Sequence, residues 1–246
     1  MIIKLIARLL LTAPAFVSLG ATAEDWPTKP VRLVVPFAPG GLVDYMARDI
    51  AQALSTQTGK SFIVDNRAGA AGVIGVDIVA KSPPDGYTFV LANAGAISIA
   101  PYMKKSLPYD WAKDLAPVSP VAKVTNVMVV PPSFPAKTVQ EFIAAAKAQP
   151  MKINYASSGF GASDHMAGVM FMTLSGAKMT NVQYKGGAPA MVDVLAGTVD
   201  VIFSTFPPCP AIHQVWQVAR LGGYLQRAVD HRARRAHHRR GRRTRL

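Results

Sequence analysis

Residues 31–44 decide the fold, and they read VRLVVPFAPGGLVD. The run from Val31 to Val35 is apolar and rich in valine, which is typical of a buried strand. Pro39-Gly40-Gly41 then predicts a turn, and the amphipathic run from Leu42 to Leu54 predicts a helix. The stretch therefore predicts a strand, a glycine turn and a helix in direct succession.

The start of this helix is a candidate anion site. The first N–H groups of a helix have no partner within the helix, and the helix dipole favours a negative charge beside them. Gly40 and Gly41 leave no Cβ between the backbone and a ligand. Taken alone, Pro-Gly-Gly is also typical of a turn with a purely structural role, so both interpretations stay open at this point.

The N-terminal 23 residues predict a secretory signal peptide. Two basic residues precede an apolar stretch from Leu9 to Leu19, and Ala21-Thr22-Ala23 supplies the small residues of a cleavage site. The apolar stretch is shorter than a membrane-spanning helix needs, which weighs against a membrane anchor. We expect residues 1–23 to be removed and the mature chain to begin at Glu24 in the bacterial periplasm.

The positive charge of the chain is concentrated at its C-terminal end. The 246 residues carry 27 Lys and Arg against 14 Asp and Glu, a net charge of +13. Residues 24–219 hold 15 basic and 13 acidic residues, whereas ten Arg lie from Arg220 onward. The body of the chain is nearly neutral, so its charge does not predict a nucleic-acid surface. Cys209 is the only cysteine, which excludes a disulfide within the chain.

Strands and helices alternate in the first half of the chain. Residues 61–64 and 87–92 have the apolar character of strands, and a helix through Val79 separates them. Such alternation predicts a parallel sheet, in which ligands bind beyond the carboxyl ends of the strands. Asn93-Ala94-Gly95 follows the third strand, so we expect Asn93 and Gly95 to lie near the first glycine turn.

The second half repeats the organisation of the opening stretch. Residues 153–156 predict a strand, and it is followed by SSGFGASDH at residues 157–165, which offers hydroxyls, glycines and a helix start. We place a crossover between two domains near Ala122-Lys123-Val124. Two such turns from two domains predict a cleft for a small acidic ligand. Helices are predicted over residues 139–148, 166–174 and 191–195.

The chain resembles the Bug-type periplasmic solute receptors of tripartite tricarboxylate transporters. The resemblance lies in an ordered series of short motifs, each weak alone but specific together. They run from Trp26 to about Pro208 and are WPTKPVR (26–32), VPFAPGG (35–41), NRAG (66–69), PDGYT (84–88), LPYD (107–110), NYASSG (154–159) and YKG (184–186).

The resemblance implies an α/β two-domain periplasmic binding protein of type II, the Venus flytrap fold. Residues 24–123 would form the first ligand-binding domain and residues 124–208 the second, with the second domain and the closing segment of the first incomplete. It implies binding of a small carboxylate through backbone amides, hydroxyls and water, and delivery to the membrane subunits of a transporter. It implies no catalysis, no metal and no cofactor. We expect a monomer without a nucleic-acid partner.

Site residues follow from the resemblance position by position. Those implied to bind the ligand are Pro39, Gly40, Gly41, Asp44, Asn93, Gly95, Ser157, Ser158, Gly159, Gly161, Ser163, His165 and Ser204. Two positions depart from the family pattern: Val43 stands where a Thr or Ser is common, and Ser204 where an Asp is common. Both departures argue against a ligand that carries an ammonium group. The candidates are di- and tricarboxylates, acidic amino acids and aromatic acids such as nicotinate.

Residues 209–246 form a basic tail without apolar periodicity, and the resemblance stops where this tail begins. Read one nucleotide later, the codons from Trp216 onward permit Gly-Lys-Leu-Arg-Ala-Leu-Ala-Val-Thr, which is typical of the family at this point. After Arg232, the same frame permits Ala-Pro-Asp-Val-Pro-Thr-Ile-Ala-Glu-Ala-Gly, a second family segment. We therefore predict a frameshift between Ser204 and Cys209 and a disordered, out-of-frame tail. Because apolar surface would then be uncovered, we predict poor folding of this chain.

Two other functions fit parts of the sequence. An exported hydrolase would use Ser163 with His165, or Cys209 near His213, as nucleophile and base. Ser-x-His on one turn does not by itself create that geometry, and the chain has no G-x-S-x-G elbow. A nucleic-acid-binding protein would depend on the Arg-rich tail alone. Ester hydrolysis would favour the enzyme, and ligand-induced stabilisation without turnover would favour the receptor.

Overall fold

The computed structural model describes residues 25–205. The predicted signal peptide (residues 1–23) and the predicted basic tail (residues 209–246) lie outside these residues. Among residues 25–205, no helix is both long enough and apolar enough to cross a membrane.

The described residues form strands and helices that alternate along most of the chain. The strands are β1 (Val31–Val35), β2 (Phe62–Asn66), β3 (Thr88–Val90), β4 (Asn126–Val129), β5 (Asn154–Ser157), β6 (Thr180–Gln183) and β7 (Val201–Thr205). The helices are α1 (Leu42–Thr58), α2 (Val73–Ala80), α3 (Ala100–Met103), α4 (Trp111–Asp114), α5 (Val139–Ala148), α6 (Ser163–Ser175) and α7 (Gly187–Leu195). A 3₁₀ turn at Ala70–Gly72 precedes α2, and a π-helical turn at Gly95–Ile99 precedes α3.

The first sheet has β1 at its centre, with β2 and β3 parallel to it on either side. Alternate residues of β3 face opposite sides of the sheet. Phe89 packs in a cluster with Ala51 of α1, whereas Val90 packs in a cluster with Val76 of α2. Helices thus cover both faces of the sheet, which explains why β1 is apolar at every position except Arg32 rather than alternating.

The second sheet has the order β4-β7-β5-β6, in which β4 is antiparallel to β7 and the other pairs are parallel. On one face, Phe142 of α5 and Phe171 of α6 pack with Phe203 of β7. On the other face, Val194 of α7 packs with Ile202 of β7. These two apolar layers form the core of this half of the protein.

We call the part built on the first sheet, residues 25–114, the first lobe, and the part built on the second sheet, residues 126–205, the second lobe. Residues 115–125 link them without helix or strand. This link contains Ala122-Lys123-Val124, near which the sequence places the crossover.

The observed elements confirm the predicted parallel α/β organisation. β1 and α5 have the predicted bounds. α6 begins at Ser163 rather than Met166, and α7 begins at Gly187 rather than Met191. The predicted starts were wrong because the small and polar residues there are weak helix formers, and the pattern of apolar residues begins later. The earlier starts place Ser163 and Gly187 in the first turns of their helices.

Candidate ligand-binding site

A cavity of about 2350 Å³ lies between the two lobes. The loops after β1, β3 and β5 and the start of α7 reach it from the two sides. Pockets for small molecules have volumes of about 300–1,000 Å³, so a small ligand would fill only part of this cavity. The candidate site is the part where these loops and helix starts meet, because the polar groups of both lobes converge there.

The turn after β1 brings the start of α1 to the cavity. Gly40, Gly41, Leu42 and Val43 line the cavity, and no side chain caps this helix among the described residues. The N–H groups of the first turn have no acceptor within the helix, so they can donate to an anion in the cavity. Pro39 is exposed and lies outside the lining.

Asp44 lies in the first turn of α1, but its carboxylate is buried in the first lobe. It accepts hydrogen bonds from the Gly40 N–H at 3.0 Å, from the Arg48 guanidinium at 3.0 and 3.1 Å, and from the Asn66 amide at 2.9 Å. Burial raises the pKa of Asp44, but these hydrogen bonds outweigh burial and hold the pKa below its ordinary value. Asp44 is outside the cavity lining, and its hydrogen bond from Gly40 holds the turn that lines the cavity.

Asn93 lines the cavity from the loop after β3. Its Oδ1 accepts the Ala96 N–H at 3.3 Å. Its amide nitrogen has no hydrogen-bond acceptor within residues 25–205, so it can donate to a ligand. Gly95 lies behind Asn93, outside the lining and against the second lobe.

Ser158, Ser163 and Asp164 line the cavity from the second lobe. Asp164 accepts the Ser158 N–H at 2.7 Å and the His165 N–H at 2.8 Å. Burial raises the pKa of Asp164, and the hydrogen bonds from Ser158 and the backbone oppose this rise without cancelling it. An aspartate in the first turn of a helix thus holds the preceding loop in both lobes.

Four predicted site residues of the second lobe lie outside the cavity lining. Ser157 is fully buried and accepts a hydrogen bond from the Asn181 amide at 3.0 Å. His165 Nδ1 accepts the Gly161 N–H at 3.4 Å, and burial lowers the pKa of this histidine although Asp164 opposes the effect. Gly159 contacts the first lobe. These residues therefore shape the loop after β5.

The start of α7 is a further helix N-terminus at the cavity without a capping side chain among the described residues. None of the predicted site residues lies in α7. Gly187 and Ala188 line the cavity, and a Cβ on Gly40 would lie 3.6 Å from the Ala188 Cβ. Ser204 also lines the cavity, with Oγ 3.7 Å from where a Cβ on Gly187 would lie. A signal was present, because residues 184–187 repeat the order of strand end, glycine turn and helix.

Three helix N-termini therefore line one cavity, and they come from both lobes. α1, α6 and α7 have 17, 13 and 9 residues, and within residues 25–205 their N-cap residues make no side-chain capping hydrogen bond. In α6, Asp164 accepts one N–H of the first turn, that of His165. Each favours a negative charge at its start, and the site adds hydroxyl and amide donors. The side chain of Val43 contributes no donor. Such a set of donors suits the oxygens of a carboxylate.

Ser163 and His165 do not form a nucleophile and base pair. Ser163 lines the cavity, whereas His165 is buried outside the lining. Within residues 25–205 no hydrogen bond joins them, and His165 Nδ1 accepts from Gly161 instead. The alternative pair, Cys209 and His213, lies outside the described residues. In the same part of the chain, no group of three or more His, Cys, Asp or Glu side chains could hold a metal ion.

Two α/β lobes with a cavity between them that is lined by helix N-termini have the architecture of a two-lobed solute-binding protein. Comparison with protein families then identifies the group: the chain belongs to the tripartite tricarboxylate transporter family receptors, whose family model matches residues 46–229. The match runs past Pro208, where the sequence analysis ended the resemblance.

Solved structures and curated relatives agree with this assignment and confirm the predicted Venus flytrap fold. Protein BugT of Bordetella pertussis is 37% identical over 196 residues, which cover 79% of this chain and 60% of BugT. The structure of R. palustris Rpa4515 with adipate is 38% identical with a TM-score of 0.74, covering 77% of this chain and 63% of that one. MatC from Rhodopseudomonas palustris with bound malate is 28% identical with a TM-score of 0.69, covering 73% and 61%. The chain thus spans about 60% of the length of these relatives.

Proposed function

We propose that this protein is an extracytoplasmic receptor that binds a small carboxylate for a tripartite tricarboxylate-type transporter. The observation that carries the proposal is the meeting of three uncapped helix N-termini, from two lobes, at one cavity. Relatives of known structure hold adipate and malate, which supports the same ligand class. In this proposal the protein is a periplasmic monomer, its partners are the transporter membrane subunits, and it binds no nucleic acid.

The ligand class that fits best is a dicarboxylate without an amino group. Val43 and Ser204 line the cavity, and neither offers a negative charge to an ammonium group. Asp164, which also lines it, accepts two backbone N–H groups, and burial raises its pKa, which disfavours the charged form that would pair with an ammonium group. A buried ammonium group without an acceptor costs more than the loss of an ordinary hydrogen bond, so aspartate and glutamate are disfavoured.

A ligand panel tests the proposal. The mature chain is heated with 10 mM adipate, malate, citrate, nicotinate, aspartate or glutamate, and ester hydrolysis is assayed in the same samples. We expect adipate or malate to raise the melting temperature by several degrees without turnover, since 100-fold excess over Kd adds about 2.7 kcal/mol. Failure of every carboxylate to stabilise the chain, or hydrolysis that Ser163→Ala abolishes, would contradict the receptor.

We also propose that residues 209–246 are read out of frame. The shift of composition to Arg without Lys after Arg220 supports this, as do the family segments that the shifted frame permits. Sequencing genomic DNA across codons 204–215 tests it. An added or missing base relative to the printed reading would mean that the native protein continues in the family frame. An unchanged reading would mean that the chain is a remnant of a longer receptor.

A further inference from the structure

The two lobes meet through backbone atoms at several points around the candidate site. The contacts are the Ala38 N–H donating to the Lys185 carbonyl at 3.0 Å, Gly186 over Ala38, Gly159 over Ala71, and Gly95 against Gly161 and Ala162. A Cβ on Gly186 would lie 3.1 Å from Ala38 N, and one on Gly159 would lie 3.1 Å from Ala71 N. At these contacts, almost no space is left between the backbones of the two lobes.

These contacts are next to the residues that line the site. Ala38 lies two residues before Gly40, and Gly159 directly follows Ser158. Ala162 directly precedes Ser163 at the start of α6. The separation of the lobes at these contacts therefore determines how far apart the hydrogen-bond donors of the two lobes lie.

At Gly95, an added side chain would clash with the second lobe without also straining the backbone. Its backbone does not adopt a left-handed φ, so alanine could take its conformation without strain. A Cβ there would lie 3.2 Å from the Ala162 Cα and 3.2 Å from the Gly161 carbonyl oxygen. Both atoms belong to the backbone of the second lobe, so no side-chain rotation relieves the contact. The Asn93 amide, at 3.3 Å, is a side chain that can rotate.

We propose that Gly95 is a positioning residue that sets how closely the lobes approach each other and hence the width of the ligand cleft. The link to affinity rests on the proposed function, whereas the link to lobe separation does not. If a methyl group at residue 95 leaves only a tenth of the molecules able to close, the apparent Kd for a ligand held by both lobes rises about 10-fold.

Distances between spin labels test this directly. The labels are placed at Tyr102→Cys in the first lobe and Met170→Cys in the second, both exposed and outside the cavity lining, after Cys209→Ser removes the natural thiol. Distance distributions are recorded for the otherwise unchanged chain and for Gly95→Ala, each with and without adipate. Adipate affinity is measured by calorimetry on the same proteins.

Gly59→Ala is the matched control. Gly59 ends α1 with a φ of +67°, and a Cβ there would meet nothing within 4 Å. This substitution imposes backbone strain in the first lobe without reaching the second lobe. We expect it to lower stability while leaving the lobe distance unchanged.

In the parent chain we expect a population with a short distance between the two labels, which corresponds to closed lobes. This population should be lost in Gly95→Ala and kept in Gly59→Ala. The Kd for adipate should be about 10-fold higher in Gly95→Ala than in the parent chain. If adipate binds neither protein but the distances behave in this way, the positioning role stands and the proposed ligand class fails. If Gly95→Ala keeps both the short distance and the parent affinity, the positioning role is wrong. Absence of the short distance in the parent, with and without adipate, would also overturn it.

Discussion

Ser204 bears on ligand choice at the scale of a single residue. It lines the cavity beside Gly187, at the position where the family resemblance implies an Asp. We predict that Ser204→Asp lowers adipate affinity at least 10-fold, because a second carboxylate repels the ligand. The same change should strengthen binding of aspartate or glutamate by supplying an acceptor for the ammonium group. Calorimetric titration of both ligand types measures these effects.

Ser204→Asn is the control for this substitution, since it has nearly the same size as Asp but no charge. It should weaken adipate less than Ser204→Asp does and should not improve aspartate binding. Equal effects of the two variants on adipate would mean that size rather than charge is responsible, and would remove Ser204 from the argument about ligand class.

His165 gives the folded chain a defined pH dependence. Burial lowers its pKa, and Nδ1 must be unprotonated to accept the Gly161 N–H. As pH falls below about 6.5, the unfolded chain binds a proton that the folded chain does not, so the free energy of unfolding decreases. We predict that the urea midpoint falls between pH 7.5 and pH 5.5, and that His165→Gln makes this fall smaller. An equal fall in both proteins would contradict the assignment.

Asp44 stabilises the turn that carries the site. Asp44→Asn places an NH2 group among hydrogen-bond donors where a carboxylate oxygen accepted from them, and it removes the charge partner of Arg48. We predict a loss of about 2 kcal/mol in the free energy of unfolding. Asp77→Asn is the control, because the Asp77 pair with Lys81 has the same i,i+4 spacing but is more exposed. It should cost less than about 1 kcal/mol in urea denaturation. Equal losses of unfolding free energy in the two variants would mean that the hydrogen bonds of Asp44 stabilise the chain no more than the Asp77–Lys81 pair does.

In α1, the lack of a capping side chain at the N-cap lowers the stability of the helix but leaves N–H groups that can bind an anion. Gly41 is the N-cap in an extended conformation, and a Cβ there meets only ordinary contacts. We predict that Gly41→Asp stabilises the chain by about 0.5 kcal/mol through capping and the helix dipole. It should also abolish adipate binding, because its carboxylate occupies the anion position.

The uncharged variant Gly41→Asn separates the two effects. Asparagine caps a helix about as well as aspartate does, but it does not repel an anion. It should therefore give a similar melting temperature and retain part of the affinity. If Gly41→Asp binds adipate like the parent chain, the start of α1 is not part of the site.

The turns and helices of the site differ in how well the sequence predicts them. The first turn could be predicted because an apolar strand, two glycines and an amphipathic helix are adjacent in the chain. The role of α7 was missed, because its turn becomes part of the site only when Ala188 lies across the cleft from Gly40. Asp44 and Ser157 were placed in the site by resemblance, yet their polar atoms bind within their own lobes. Sequence identifies the residues of a turn, but tertiary contacts decide which atoms face the cavity.

At the scale of the whole molecule, the chain leaves apolar surface exposed. Trp26 is 48% exposed and Ile63 is 53% exposed, while Leu33 and Phe89, partly buried against their core cluster, also line the large cavity. Apolar surface that no layer covers lowers the solubility and stability of a fold. We predict low soluble yield and a broad thermal transition for the chain as printed.

Restoring the family reading frame provides the comparison for this prediction. One nucleotide is added or removed between codons 204 and 209, and the longer chain is expressed in parallel with the printed one. The longer chain should be more soluble and should unfold in a sharp, cooperative transition. A high yield and a sharp transition from the printed chain would contradict the prediction of poor folding.

A titration of the ¹⁵N-labelled chain with adipate, followed by amide NMR, tests most directly whether three helix N-termini bind one carboxylate between the lobes. We predict that the largest changes in amide chemical shift occur at the starts of α1, α6 and α7, at Leu42, Ser163 and Ala188, and that all three saturate with one Kd. Shifts confined to one lobe, or spread over the surface without saturation, would contradict a carboxylate held between the lobes by three helix N-termini.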